Sequence, residues 1–148
     1  MSKHTATIKW NKKIESFQYK DYNREHEWIF DNGQKIDASA SQPYLGKPEF
    51  VDPEEAFVAA LSSCHLLTLL AICSRKNITV ESYEDNAEGF LDKNENGILF
   101  LKKVILRPKI KFQDEVDDNT IKELHHLSHQ ECFLANTVKS EMLIEPEF

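Results

Sequence analysis

Only three cysteines, four glycines and five prolines occur among 148 residues. So little glycine and proline excludes a collagen-like repeat and a low-complexity chain. The cysteines, at positions 64, 73 and 132, are odd in number and none stands in a CxxC or other close spacing, which argues against a zinc ribbon or a disulfide framework. In a reducing compartment such residues are free or catalytic thiols. Positive charge is also scarce: 18 Lys and Arg against 25 Asp and Glu leave a net charge of −7, and the basic residues are scattered. Phosphate recognition needs clustered Lys and Arg, so a nucleic-acid partner and an anionic membrane surface are both disfavoured. The first ten residues show no apolar h-region or cleavage site, so no export signal is read and a cytoplasmic location is expected.

What is present suffices for one substantial core, since 41% of the residues are apolar. A single domain over 1–148 is expected, with a strand meander and loop over 1–51 and a helix, hairpin, helix and strand over 52–148. Alternation and turn residues mark short antiparallel strands at Thr5–Trp10, Glu15–Tyr19, His26–Phe30 and Lys35–Ala38, the last pair joined by Asp31-Asn32-Gly33. Pro43, Gly46 and Pro48 break the pattern over 41–51. Asp52-Pro53-Glu54-Glu55 then reads as a helix start, with an Asp cap, Pro at the first helical position and acidic residues at the positive end of the dipole.

From Ala56 to Cys73 the helix is apolar or small on every face, so protein or lipid must surround it. Ser62, Ser63, Cys64, His65 and Thr68 in mid-span favour protein. Residues 79–91 and 98–112 read as two strands around an Asn96-Gly97 turn. A second helix after Asp117-Asp118 aligns Ile121, Leu124, Ser128 and Cys132 in one stripe, and Val138–Ile144 reads as a final strand. Grouped strands give an α+β class: an antiparallel sheet packed on a buried central helix, with a second chain expected to supply part of the cover.

Cys64, in mid-helix, and Cys132, at the end of the second helix's stripe, both point inward, where the two thiols can meet. Cys73, nine residues after Cys64, falls on the opposite helix face about 13 Å further along and reads as packing. Cys64 lies too far from the helix start for the dipole to act on it, so a cation is needed to hold its thiolate. Arg24, at a strand boundary, is the candidate. At Cys132 the dipole opposes a thiolate, which suits a resolving role. His125, His126 and His129 invite a zinc reading, but no HExxH arrangement accompanies them and they read as exposed helix histidines; no metal is assigned. His65 projects about 100° away from Cys64 and reads as poorly placed to be its base.

Three segments together resemble the OsmC/Ohr family, in its OsmC-like branch. They are Asp52-Pro-Glu-Glu-Ala-Phe-Val-Ala-Ala-Leu-Ser-Ser-Cys64-His, Tyr22-Asn-Arg24-Glu-His with Asp37-Ala-Ser-Ala-Ser, and His129-Gln-Glu-Cys132-Phe-Leu-Ala-Asn136-Thr-Val-Lys. The resemblance implies an intertwined α+β homodimer that reduces organic hydroperoxides: Cys64 attacks, becomes a sulfenic acid, and condenses with Cys132. It also implies that Arg24 and Glu54 flank the reactive thiol, that no cofactor is bound, and that an external dithiol such as a lipoyl group resets the enzyme. Ten residues on one helix separate Glu54 from Cys64 by about 15 Å, so each site is expected to be composite, with Glu54 and Arg24 supplied across the dimer. Where family members often carry Pro after the second cysteine, this chain has Phe133. Tyr44, Leu45, Phe50 and Phe133 are the expected apolar contacts for substrate. Two rival readings stay open: a binding protein for an apolar ligand, and a thiol redox sensor without significant turnover.

Overall fold

The computed structural model describes residues 1–147. The chain forms two compact units, Met1–Ala56 and Phe57–Phe148.

The N-terminal unit is a three-stranded antiparallel sheet of β1 (Ala6–Lys9), β2 (His26–Phe30) and β3 (Lys35–Ala38), in that order. The expected bounds of β2 and β3 hold. Their turn needs a left-handed residue, which Gly33 supplies at φ +84°. The expected strand at Glu15–Tyr19 is absent: Asp21 and Tyr22 both donate their N–H to the Gln18 carbonyl, a turn that leaves no extended backbone to pair. Its aromatics pack on one another instead, Phe17 on Trp10 and Tyr22, with ring centroids 6.0 and 5.2 Å apart. A 3₁₀ turn at Gln42–Tyr44 interrupts the loop, which returns at Val51 to bridge Ala38.

α1 (Pro53–Arg75) begins in the N-terminal unit and continues through the C-terminal one. Its start is a reciprocal cap, Asp52 Oδ1 accepting from Glu55 N–H at 2.8 Å and Glu55 Oε2 from Asp52 N–H at 3.2 Å, ahead of Pro53. Its end is a Schellman turn: Asn77 is left-handed at φ 56°, Ile78 N–H donates to Cys73 O and Asn77 N–H to Ser74 O. Among the described residues α1 alone is long and apolar enough to cross a membrane.

In the C-terminal unit the two expected strands are four: β4 (Val80–Asp85), β5 (Glu88–Lys93), β6 (Leu99–Leu106) and β7 (Pro108–Phe112). β5 and β6 form the expected hairpin around Gly97, while β4 pairs with β7. β8 (Glu141–Ile144) lies parallel to β6, beside the antiparallel pairings of the α+β class expected. α2 (Asp118–Glu131) is capped by Asp117, whose Oδ1 accepts the N–H groups of Asn119 and Thr120.

Two apolar clusters hold α1. Leu69, Ile72 and Cys73 pack with Leu124 of α2, ringed by Ile78, Val80, Ile110, Phe112 and Leu127. Leu61 packs with Val104 and Leu106 of β6. Cys73 is thus a packing residue, and burial pushes its thiol up from its ordinary range. The opposite side of α1 is uncovered, Leu67 being 63% and Leu70 38% exposed.

Candidate active site

The buried stripe of α1, Leu61, His65, Leu69 and Ile72, follows helical spacing, and Cys64 lies beside it, half-buried. α2 presents Leu124, His125 and Ser128 to the same core. Its next residue in that stripe, Cys132, closes the helix, with N–H donated to Ser128 O at 3.0 Å. These two faces bring the thiols together: Cys132 Sγ donates to Cys64 Sγ at 2.7 Å. No disulfide joins them, and all three cysteines are free.

The environments of the two thiols differ. Cys132 is wholly buried. Burial, then the bond to Cys64, push its thiol up to about 11, against a smaller opposing pull from the Ala135 N–H, 3.4 Å from its sulfur. The segment after it is pinned by Asn136, whose side-chain amide donates to the carbonyls of Gln130 and Cys132 at 2.8 and 3.0 Å. That amide satisfies carbonyls the helix end leaves open, so Asn136 fixes the backbone that carries the sulfur. Thr68 Oγ1 donates to Cys64 O at 2.8 Å.

Arg24 belongs to the N-terminal unit. Its guanidinium donates to the carbonyls of Tyr19 and Tyr22, at 2.5 and 2.9 Å, and lies over both rings, 4.1 Å from the Tyr22 centroid and 4.9 Å from that of Tyr19. It lines a cavity of about 490 Å³ with Ile8, Trp10, Phe17, Tyr22 and His26. His26 is oriented there by its neighbours: the Trp28 indole, which only donates, gives its N–H to Nε2, so Nδ1 carries the proton donated to Arg24 O. Glu54 lies in the first turn of α1, which runs unbroken to Cys64 and beyond.

The expected substrate contacts differ in exposure. Tyr44 and Leu45 are exposed, Phe50 is half-buried under the Lys47 ammonium, and none of the three lines the cavity. Phe133, in the C-terminal unit, is 84% exposed. It turns outward because the chain leaves helical geometry at Cys132, whose ψ is 118°.

Sequence reasoning missed a pair of imidazoles. His125 is buried, not exposed, and bonds across to His65 of α1, Nε2 to Nδ1 at 3.0 Å. His65 at the fourth place after Leu61, and His125 at the fourth after Ile121, are the signals that place them inward. Burial, then the fields of His125 and His129, lower His65 to about 3; burial lowers His125 to about 4 against an opposing pull from Asp85. Asp85 is itself held by Ser62 Oγ and by the N–H of Arg107. Among the described residues no group of three or more His, Cys, Asp or Glu side chains is arranged to hold a metal ion.

An α+β fold with two thiols in contact between its helices defines a paired-cysteine protein. The sequence places it more narrowly. A family model described as OsmC-like protein matches residues 46–147, and the chain belongs to that family. An OsmC-like protein of unknown function from Vibrio cholerae is 45% identical, with a TM-score of 0.93 over 99% of this chain and 100% of the other. The organic hydroperoxide resistance protein OhrB of Bacillus subtilis shares the fold at 18% identity and a TM-score of 0.75, over 99% and 98% of the two chains. Protein YmaD of the same organism, itself uncharacterized, is 22% identical over 129 residues, 84% of this chain and 85% of YmaD.

Proposed function

We propose that the chain is a thiol-dependent reductase of organic hydroperoxides, and the 2.7 Å contact between Cys64 and Cys132 is the observation that carries the reading. The Cys64 thiolate attacks the distal oxygen of the hydroperoxide. The O–O bond breaks, the alkoxide leaves and takes a proton as the alcohol, and Cys64 is oxidised to a sulfenic acid. Cys132 then attacks that sulfur. The S–O bond breaks, hydroxide leaves with the thiol proton as water, and a disulfide remains. An external dithiol, a lipoyl group being one candidate, reduces it by exchange and becomes a disulfide itself.

Arg24 holds the thiolate and stabilises the departing alkoxide, and Glu54 flanks the thiol beside it, both supplied across a homodimer. The uncovered Leu67 and Leu70 support such a pairing, since a helix apolar on every face needs cover on every face. The apolar cavity at Arg24 supports organic over hydrogen peroxide as substrate. That same cavity favours a second reading, a carrier of apolar ligands in which the thiols do not turn over. The place of action is the cytoplasm, where the thiols stay reduced between turnovers.

Turnover of cumene hydroperoxide with a dithiol decides between them. Wild type turns over, Cys64→Ser does not, and Cys132→Ser stops at a sulfenic or over-oxidised Cys64 visible by mass. No turnover by wild type with any dithiol, with an apolar ligand still bound by Cys64→Ser, establishes the carrier instead.

A further inference from the structure

Cys64 and Cys132 sit on different helices, and a thiol as weakly ionised as Cys132 acts through proximity and not through its thiolate fraction. Something must therefore fix where α2 stands against α1. Most of what joins the helices is unsuited to the task. The Leu69, Ile72, Cys73 and Leu124 cluster is apolar and non-directional. The ion pairs Arg75–Glu131 and Lys76–Glu123 are exposed, where such contacts hold little.

The exception is the imidazole pair. His65 directly follows Cys64, and His125 stands two turns before Cys132 on the stripe that ends in that cysteine. The rings are within 3° of parallel with centroids 5.3 Å apart, too far for face contact, while Nε2 of His65 and Nδ1 of His125 are 3.0 Å apart. They meet edge to edge, one N–H directed along the other's lone pair. Such a bond fails with a fraction of an ångström of slip, which an apolar contact tolerates.

Both rings are buried, 0% and 3% exposed, and the outer nitrogens, His65 Nδ1 and His125 Nε2, have no hydrogen-bond partner among the described residues. Two leucines would fill this space without that desolvation penalty. We infer that the His65–His125 bond is a positioning device that sets the register of α2 on α1 and so holds Cys132 against Cys64. His65 and His125 are positioning residues and touch no reacting atom. The benefit to hydroperoxide turnover rests on the reductase reading; the effect on the thiol pair does not.

The test uses the full chain in dithiothreitol redox buffers, with the Cys64–Cys132 disulfide counted by mass after alkylation. His125→Leu removes the nitrogen; His125→Asn places an amide near Nδ1; Leu124→Ala loosens the same helix contact without touching the bond. The expected result is an equilibrium shifted about tenfold or more toward free thiols in His125→Leu, with His125→Asn and Leu124→Ala within about threefold of wild type. Equal shifts in His125→Leu and Leu124→Ala, or none in His125→Leu, overturn the inference. Should His125→Leu not fold, His125→Gln, whose amide lies one bond further out, takes its place: a tenfold gap between Gln and Asn supports the device and equality overturns it. A wild type that forms this disulfide but does not consume cumene hydroperoxide sinks the reductase reading alone.

Discussion

Acid should weaken this protein well before its carboxylates protonate. His65 and His125 are held at about 3 and about 4 when folded, against an ordinary value of 6.5, chiefly by burial. The groups that face them are each other, His129 and Asp85. The folded rings stay neutral while the unfolded chain takes up protons below pH 6.5, so the unfolded state binds more protons and stability falls as pH drops. The contribution is full above 6.5 and is lost progressively down to pH 3–4. At about 1.4 kcal/mol per pH unit, each ring removes about 2 kcal/mol by pH 5, so the pair removes about 4 kcal/mol. That is a large part of the 5–15 kcal/mol typical of a domain. Urea unfolding followed by far-UV circular dichroism at pH 7.5, 6.5, 5.5 and 5.0 reads it directly. His125→Asn, lacking one titrating ring, should lose about half of the pH dependence. A wild-type midpoint flat from pH 7 to 5, or an equal slope in His125→Asn, refutes the argument.

Two further outcomes are expected. Gly46→Ala would place a Cβ 1.5 Å from the Ala40 carbonyl oxygen, a backbone atom that cannot swing aside, so the loop must shift; the expected loss is about 1–3 kcal/mol, read as a lowered urea midpoint, and an unchanged midpoint contradicts it. Cys73, 1% exposed in the Leu69 cluster with its thiol pushed up by burial, should resist iodoacetamide in the folded protein and react once urea unfolds it. Labelling of native Cys73 at the rate of an exposed thiol would show that the cluster opens.

Local chemistry made much of this legible. Asp52, Pro53 and Glu55 mark the start of α1 because cap, ring and carboxylate each act within one turn, and Gly33 marks its hairpin because one backbone angle demands it. The thiol pair was legible because helical spacing turns both cysteines inward. Glu15–Tyr19 misled because alternation was present without a partner strand: the ring packing of Phe17 and Tyr22 absorbed it. The parallel β6–β8 pairing joins Lys103 to Glu141, and no local signal fixes so long a closure. His125 was misplaced because three histidines in five residues suggest a wet face, while the neighbour that draws one of them inward lies sixty residues away on α1.

On the reductase reading proposed above, the same burial that hid His125 gives the two cysteines different parts to play. A nucleophile must be reached by its substrate and must ionise; Cys132 is 0% exposed with its thiol pushed up to about 11, so it meets neither condition at the start of a cycle. Cys64 is half-buried and retains a face that a small molecule can approach. In that cycle, once Cys64 carries an oxygen, the requirement would change from ionisation to contact. Cys132 already supplies contact at 2.7 Å, and its proton has an acceptor in the departing hydroxide. A resolving thiol that stays protonated until that moment also leaves few thiolates to be oxidised in error. If the order were reversed, Cys64→Ser would still gain a sulfenic acid at Cys132 under cumene hydroperoxide, and mass analysis of that variant would reveal it.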